Sequence, residues 1–292
     1  MANSSRIHRC YVSFIVIATV LSACAREGGP DEGPELPAPE AEPGVRGSPP
    51  VSTQFSLQAG ELDSMIAELP PSSRSAIEAD PADFLDLVTR VLDLPFALTV
   101  LADKEHPLGA DYEPAEIVPL DTLRDELSLS REGHRLAAVA VEPLRQMSRA
   151  AVADGIVLLV SSAYRSYDYQ QQVYSRWVEE LGQEQADRVS ARPGTSQHQL
   201  GTAVDFGCIC PAIAEQPAGS WLAENAHRFG FSLSYPDGAE AITGYSYEPW
   251  HFRYVGVAAT ELEQQYFSGM QQWMLEWLAE HRAALESRRR TS

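Results

Sequence analysis

The sequence predicts an α+β fold in which helices flank a small central antiparallel sheet. Several segments repeat apolar residues at helical spacing, whereas segments 231–235 and 250–255 alternate in character as strands do. These helical and strand segments do not follow one another in a regular order. A regular alternation is typical of a parallel α/β sheet, so the irregular order favours the α+β class.

Periodicity assigns the main elements in chain order. The β-rich run 156–160 is predicted to be a buried strand. In the strand over 250–255, alternate residues face opposite sides of the sheet, and one side carries His251, Arg253 and Val255. Helices are predicted over 131–153, which contains Pro143, and over 167–181, 220–229 and 259–286.

The first 24 residues have the composition of a secretory signal. Arg6 and Arg9 form a basic start, and the apolar run 11–21 is too short for the roughly 20 residues that span a bilayer. The sequence Leu-Ser-Ala-Cys at 21–24 resembles the lipobox of bacterial lipoproteins, in which the cysteine is acylated. We therefore expect lipidation at Cys24 and a lipid anchor in a membrane of the cell envelope.

Composition divides the rest of the chain. Residues 25–56 are predicted to be a disordered tether, because 25–50 contain seven prolines, five glycines and six acidic residues. Residues 57–94 follow as a region of short helices of unknown role. We place the main domain at 95–257 and a C-terminal helix at 258–292.

Charge and cysteine content narrow the class of partner. Without its first 24 residues the chain has 20 basic and 41 acidic residues, a formal charge of −21. Such a protein has no electrostatic reason to bind nucleic acid, and we expect a monomer. Only Cys208 and Cys210 remain outside the signal and the lipobox, so a disulfide scaffold is excluded and two thiols are expected there.

Two short segments combine residues suited to a metal centre. Neutral imidazole and carboxylate bind zinc, and a catalytic zinc has three protein ligands with one position left for water. His198, Asp205 and His251 supply three such ligands, which leaves Glu248 as a general base for hydrolysis. Pro249 disfavours a helix at Glu248, so we expect a bend there that brings the carboxylate round to the metal.

Arg165 follows the predicted strand 156–160 in the segment Tyr164-Arg165-Ser166. An arginine at a strand end beside a cleft suits a carboxylate or a developing oxyanion. A structural surface arginine is the commoner case, so this residue alone does not define a site.

Three motifs in this order resemble the zinc D-alanyl-D-alanine carboxypeptidase family, which includes vancomycin-resistance carboxypeptidases and related LD-carboxypeptidases. The motifs are Tyr164-Arg165-Ser166, the Ser-x-His-x-x-Gly-x-Ala-x-Asp pattern from Ser196 to Asp205, and Glu248-x-Trp-His251. The resemblance extends over about 95–257.

The resemblance implies a zinc enzyme that removes a terminal D-alanine from peptidoglycan stem peptides, with its site in a cleft on the sheet. It makes His198, Asp205 and His251 the zinc ligands and Glu248 the base, with Arg165 stabilising the oxyanion. Ser196 and Gln170 match positions near the substrate.

Two alternatives remain at this point. The first is a wall-binding or signalling module that keeps the zinc fold without turnover, as hedgehog-type domains do. The second is an endopeptidase that cuts within peptidoglycan cross-links. Glu248 and Arg165 favour an enzyme, because a domain without catalysis has no physical need for either. The sequence does not separate DD- from LD-specificity.

Overall fold

A computed structural model describes residues 52–290 of the 292-residue chain. The predicted signal, the lipidation site Cys24 and the tether up to residue 51 lie outside the described residues. Within residues 52–290, no helix combines the length and the apolar character needed to cross a membrane.

The described residues contain a central sheet of five strands and a separate two-stranded ribbon. The strands are β1 (Ile117–Pro119), β2 (Ser128–Leu129), β3 (Arg135–Ala137), β4 (Leu159–Ser162), β5 (Ala203–Phe206), β6 (Phe231–Leu233) and β7 (His251–Tyr254). The central order is β2–β4–β5–β7–β6, and β1 pairs with β3 in the ribbon. Central neighbours are antiparallel except β2 and β4, which pair in parallel at one edge. The predicted α+β class is confirmed.

Helices surround this sheet and extend beyond it at both ends of the described chain. They are α1 (Ala59–Ile66), α2 (Pro71–Ala79), α3 (Pro81–Leu92), α4 (Ala138–Ala153), α5 (Tyr167–Leu181), α6 (Gln183–Val189), α7 (Pro217–Asn225), α8 (Glu240–Thr243), α9 (Val257–Tyr266) and α10 (Gln271–Arg288). Helix α5 has the bounds that its periodicity predicts.

The two faces of the central sheet have different environments. Val204, Phe206 and Phe252 point to one face and join a buried apolar cluster with residues of α4 and α7. Asp205 and His251 alternate with them and therefore point to the other face. Trp250 and Tyr254 pack against the apolar cluster, so the predicted division of this strand is confirmed.

A second apolar cluster joins the two ends of the described chain. It contains side chains of α1, α2 and α3 together with side chains of α9 and α10. Phe84 of α3 lies at its centre, with its ring 5.1 Å from that of Tyr266 and 5.2 Å from that of Trp277. Region 57–94, which had no assigned role, is therefore one half of a helical layer whose other half follows the catalytic motifs.

The tether prediction is wrong at its C-terminal end. Phe55 is fully buried in the helical layer, and it forms an antiparallel bridge with Arg289. Backbone hydrogen bonds join Ser56 to Arg288 and Arg290 to Gln54, each at 2.8–2.9 Å. An aromatic side chain gives this stretch enough apolar area to offset the entropy of ordering it, which the Pro/Gly-rich part lacks.

Two helix predictions are wrong in extent. The helix expected from residue 131 begins at Ala138, because 135–137 instead pair with β1. The C-terminal helix expected over 259–286 is two helices, α9 and α10. They are separated at Ser268 and Gly269, whose positive φ angles of 55° and 70° end one helix and redirect the chain.

Glu263 of α9 is a buried carboxyl group outside the catalytic motifs. Among the described residues its Oε2 atom has no hydrogen-bond partner. Burial raises the pKa of Glu263 to about 8, and the Ser232 hydroxyl offsets only part of that effect. The folded protein therefore holds a proton on Glu263 at pH values at which an unfolded chain has released it.

This burial predicts a pH dependence of stability. A raised acid pKa means that the free energy of unfolding falls as pH rises from about 4.5 to about 8, by at most ~1.4 kcal/mol per pH unit. Glu263→Gln should remove the part of that decline that Glu263 causes and make the protein more stable than wild type at pH 9. Urea unfolding at pH 5, 7 and 9 measures the free energy of unfolding of each protein. Glu261→Gln, on the surface of the same helix, is the control, and equal slopes in all three proteins contradict the prediction.

Candidate metal centre and active site

The register of two neighbouring strands creates the candidate site. Asp205 of β5 and His251 of β7 are directly opposite each other in the antiparallel pair, and both side chains are buried. Asp205 Oδ1 lies 3.0 Å from His251 Nδ1. His198 approaches from the 3-10 turn Gln197–Leu200, and its Nε2 atom lies 3.2 Å from Asp205 Oδ2. The three predicted ligands therefore have donor atoms within 4.8 Å of one another.

Local backbone bonds fix the orientation of His198. Its Nδ1 lies 2.7 Å from the carbonyl oxygen of Ala163, just after β4. Because a carbonyl only accepts, Nδ1 carries the proton and Nε2 has the lone pair. Nε2 is buried and has no hydrogen-bond partner among the described residues. The turn closes at Gly201, whose φ of 71° suits glycine and whose surroundings leave little room for a Cβ.

The other histidine has an acceptor beside each ring nitrogen. His251 Nε2 lies 3.2 Å from Oε1 of Gln197, and Nδ1 lies 3.0 Å from Asp205 Oδ1. A proton on Nε2, donated to Gln197, leaves the Nδ1 lone pair free for a metal beside Asp205. In that tautomer both imidazoles direct a lone pair to the same point, while an oxygen accepts from the other ring nitrogen of each. Hydrogen bonds of this kind are typical of metal-binding histidines.

Glu248 reaches the site through the expected bend. The backbone N–H of His251 donates to the Glu248 carbonyl at 3.0 Å across a turn at Pro249 and Trp250, and Glu248 Oε2 lies 3.7 Å from His251 Nδ1. Burial raises the pKa of Glu248 to about 8, and the charge of Asp205 adds to the increase while Arg165 opposes it. A bound cation would favour the ionised form of Glu248.

Arg165 is held beside Asp205. One guanidinium nitrogen donates to Gln170 Oε1 at 2.9 Å, and another lies 3.6 Å from Asp205 Oδ2. Gln170 is buried, and its amide nitrogen donates to the Ala191 carbonyl at 2.7 Å. Ser196 is buried at the start of the His198 turn, where its hydroxyl accepts from the His198 backbone N–H. In the structure, Gln170 positions Arg165 and Ser196 caps this turn, and both also line the cavity described next.

A cavity of about 260 Å³ opens above these side chains. One wall is apolar and consists of Tyr169, Val173 and Trp177 of α5, with Val189 of α6. Sequence reasoning missed this wall, although residues 169, 173 and 177 recur at helical spacing on a helix whose single buried residue is Gln170.

Arg131 also lines the cavity and was not selected from the sequence. It lies in the loop between β2 and β3, and its guanidinium donates to the Glu132 carbonyl at 3.1 Å. Within residues 52–290 it forms no ion pair with a carboxylate, unlike most arginines of this acidic protein. No periodic pattern marks a loop residue, so only the folded structure places it at the site.

Arg192 is not available as a further substrate-binding cation, because it forms a bidentate pair with Asp187 at 2.7 and 2.8 Å. One sequence-based expectation also needs correction. Cys208 and Cys210 are not separate thiols but are joined as a disulfide in the loop after β5. One residue separates the two cysteines in the sequence. Neither belongs to the metal-ligand cluster of the described residues.

The chemistry of the donor set fits a divalent transition metal. Two imidazole lone pairs and one carboxylate converge on one point, and the orphaned Nε2 atom of His198 has no other partner in the described part of the chain. Burying such a polar atom unpaired is costly, so a cation at this point satisfies it. Three nitrogen and oxygen ligands beside a cavity are the arrangement of a catalytic zinc site.

Comparison with known proteins agrees with this geometry. Residues 133–257 match the family model of VanY, D-alanyl-D-alanine carboxypeptidase. The bifunctional D-Ala-D-Ala dipeptidase and D-Ala-D-Ala carboxypeptidase VanXYC of Enterococcus gallinarum is 30% identical over 184 residues, which cover 60% of this chain and 90% of that protein. The chain belongs to the VanY family of D-alanyl-D-alanine carboxypeptidases.

Solved structures show the same fold. The LdcB LD-carboxypeptidase is 32% identical, with a TM-score of 0.56 over 61% of this chain and 86% of that chain. The vancomycin-resistance D,D-pentapeptidase VanY from a VanB-type cassette, solved as a mutant in complex with Zn(II), is 32% identical. Its TM-score is 0.52 over 62% of this chain and 99% of that chain. Against two longer curated relatives, 34% and 35% identical, the chain spans only 64% and 62% of their length.

Proposed function

We propose that this protein is a zinc-dependent carboxypeptidase that removes a C-terminal D-alanine from peptidoglycan stem peptides. The observation that carries the proposal is the convergence of two imidazole lone pairs and one carboxylate beside Glu248, at the base of an open cavity. The VanY relative binds Zn(II), and the LdcB structure concerns peptidoglycan recognition. His198, Asp205 and His251 are the proposed zinc ligands.

Glu248 is the proposed general base. When bound, a zinc ion supplies Lewis-acid activation of water and of the scissile carbonyl. Glu248 is half-buried beside the proposed ligands, with its Oε2 atom 3.7 Å from His251 Nδ1, and it borders the cavity. Its carboxylate accepts a proton from the attacking water and then passes that proton to the departing amine, so that one group serves both steps.

Arg165 is the proposed oxyanion stabiliser. Gln170 holds its guanidinium in place, so the donors are oriented before the substrate arrives. Preorganised donors of this kind stabilise the negative charge that develops on the scissile carbonyl oxygen. The proposed division of roles gives proton transfer to Glu248 and charge stabilisation to Arg165. A wall-binding module without catalysis needs neither.

The first test separates the base from the ligands. Chelation should abolish hydrolysis of synthetic stem peptides, and added zinc should restore it. Glu248→Gln should lower kcat by about 10²- to 10⁴-fold because it removes the proton acceptor, whereas zinc content should stay at one ion per chain. His198→Ala is the comparison and should lose both zinc and activity. Wild-type turnover by Glu248→Gln eliminates this mechanism, and a wild-type protein that binds zinc without cleaving any stem peptide favours the wall-binding module.

The proposed exopeptidase must also bind the free carboxylate at the end of its substrate. A formal charge of −21 outside the signal repels an anionic peptide, so cations at the cavity must offset the field locally. Arg165 and Arg131 both line the cavity, while Arg192 is engaged by Asp187. Of these two cavity arginines, Arg131 is the one with no carboxylate partner in the described structure. It is therefore suited to bind the terminal carboxylate of a substrate.

Substrate amidation tests carboxylate recognition. A hydrogen bond to a charged group contributes about 1.5–3 kcal/mol, so a peptide amide should be cleaved about 10- to 100-fold more slowly than the free acid at the same bond. Arg131→Gln should reduce that preference, whereas Arg176→Gln, an arginine of α5 outside the cavity, should keep it. Rates are followed by mass spectrometry on peptides ending in D-Ala–D-Ala and on tetrapeptides, which also separates DD- from LD-specificity. Equal rates on acid and amide indicate an endopeptidase.

A lipid anchor at the cell envelope completes the proposal. It rests on the lipobox-like sequence at 21–24 and on the Pro/Gly-rich stretch that follows it. Acyl chains on Cys24 would hold the enzyme at a membrane while the stretch lets the catalytic domain reach the wall. Ala25 weakly favours an outer membrane in an organism that has two.

Acylation at Cys24 has its own test. The mature wild-type protein should carry acyl chains on Cys24 by mass spectrometry and sediment with membranes. Cys24→Ser should stop acylation and processing, whereas Cys10→Ser, inside the predicted signal, should change neither. A soluble, unacylated mature protein cleaved at another residue contradicts the proposed anchor and leaves the catalytic proposal intact.

A further inference from the structure

Helix α10 begins with two buried glutamines that point toward the catalytic part of the molecule. Gln271 is 1% exposed and Gln272 is 7% exposed, although both stand at the N-terminal end of a helix. The Gln272 amide donates to Asp103 at 2.7 Å and to Glu276 at 2.8 Å. Gln271 instead reaches the candidate metal centre. The matched family segment ends at residue 257, so this contact comes from outside it.

A chain of hydrogen bonds links Gln271 to His251. The Gln271 amide nitrogen lies 3.4 Å from the backbone carbonyl of Ser232, and its Oε1 accepts from the amide nitrogen of Gln197 at 3.1 Å. Oε1 of Gln197 then accepts from His251 Nε2 at 3.2 Å. The Ser234 hydroxyl lies between the two amides, 2.7 Å from Gln197 Oε1 and 3.3 Å from Gln271 Oε1.

The direction of this chain is determined at its far end. A backbone carbonyl only accepts, so the Ser232 carbonyl orients the amide nitrogen of Gln271 toward itself and its oxygen toward Gln197. Gln197 must then turn its own nitrogen to Gln271 and its oxygen to His251. An oxygen opposite His251 Nε2 favours the tautomer with the proton on Nε2, which leaves the lone pair on Nδ1 beside Asp205.

The alternative orientation of the Gln197 amide opposes metal binding. A glutamine amide has a donor end and an acceptor end of nearly equal size, so an unanchored Gln197 can rotate by 180°. Its nitrogen would then face His251 Nε2 and favour the tautomer with the proton on Nδ1, where the lone pair is needed. Zinc binding at Nδ1 would have to displace that proton or reverse the amide.

We propose that Gln271 is a positioning residue that fixes the amide of Gln197 and thereby selects the metal-binding tautomer of His251. This inference rests on the proposed zinc site and extends it to a helix outside the matched segment. Gln271 lies two hydrogen bonds from His251, so its effect is on the affinity and geometry of the metal centre.

The experiment compares Gln271→Met with Gln272→Met. Both changes replace a buried glutamine on the same helix by an apolar side chain of similar length. Gln271→Met should weaken zinc binding by about 10- to 100-fold in competition with a chromogenic chelator, as loss of the groups that orient metal ligands does. It should also change the visible absorption spectrum of the cobalt(II)-substituted protein. Gln272→Met should stay within about 3-fold of wild type and keep the wild-type spectrum.

The same Gln271→Met change in a Gln197→Glu protein tests whether the loss of zinc affinity comes from the orientation of the Gln197 amide or from a general disturbance of the fold. Gln197→Glu places a carboxylate opposite His251, and a carboxylate has no donor end to misplace. In that background Gln271→Met should change zinc affinity by less than about 3-fold. Thermal unfolding of each metal-free protein shows that the variants are folded. An equal loss of affinity in both backgrounds, or wild-type zinc affinity in folded Gln271→Met, overturns the inference. A wild-type protein that binds no zinc instead overturns the proposed function.

Discussion

The antiparallel register of β5 and β7 is the constraint on which the candidate site depends. It places Asp205 directly opposite His251 on one face, and it places Phe206 and Phe252 on the other face, in the apolar core. A shift of either strand by one residue would exchange these faces and bury a charge among aromatic rings. One strand register therefore both packs the apolar core and brings the proposed ligands together.

On the polar face of the sheet, hydrogen bonds fix the orientation of the proposed ligand side chains. Each histidine has one nitrogen bonded to an oxygen and the other directed at Asp205. Glu248 differs from Asp205, because burial raises its pKa to about 8. It is therefore the carboxyl group of the site that is suited to exchange a proton near neutral pH.

Local chemistry predicted which residues come together at the candidate site. The types and spacing of His198, Asp205 and His251 selected them as candidate ligands, and the structure brings their donor atoms within 4.8 Å. The restriction that Pro249 imposes on Glu248 predicted the bend. Periodicity likewise gave α5 and the two faces of β7. The features that the sequence did not predict depend on partners distant in the chain. They are the pairing of 135–137 with β1, the burial of Phe55 and the hydrogen bond between Gln197 and Gln271. A single sequence contains no signal for such contacts, because each residue's local pattern permits several environments.

The helical layer has a consequence for the timing of biosynthesis. Helices α1 to α3 are made before the central sheet, yet their apolar side chains pack against α9 and α10, which are made after it. Until α10 has been made, Phe84 and its neighbours lack part of their buried surroundings, and such long-range contacts form late in folding. A chain that stops before α9 therefore exposes apolar surface of the kind that proteases and chaperones act on.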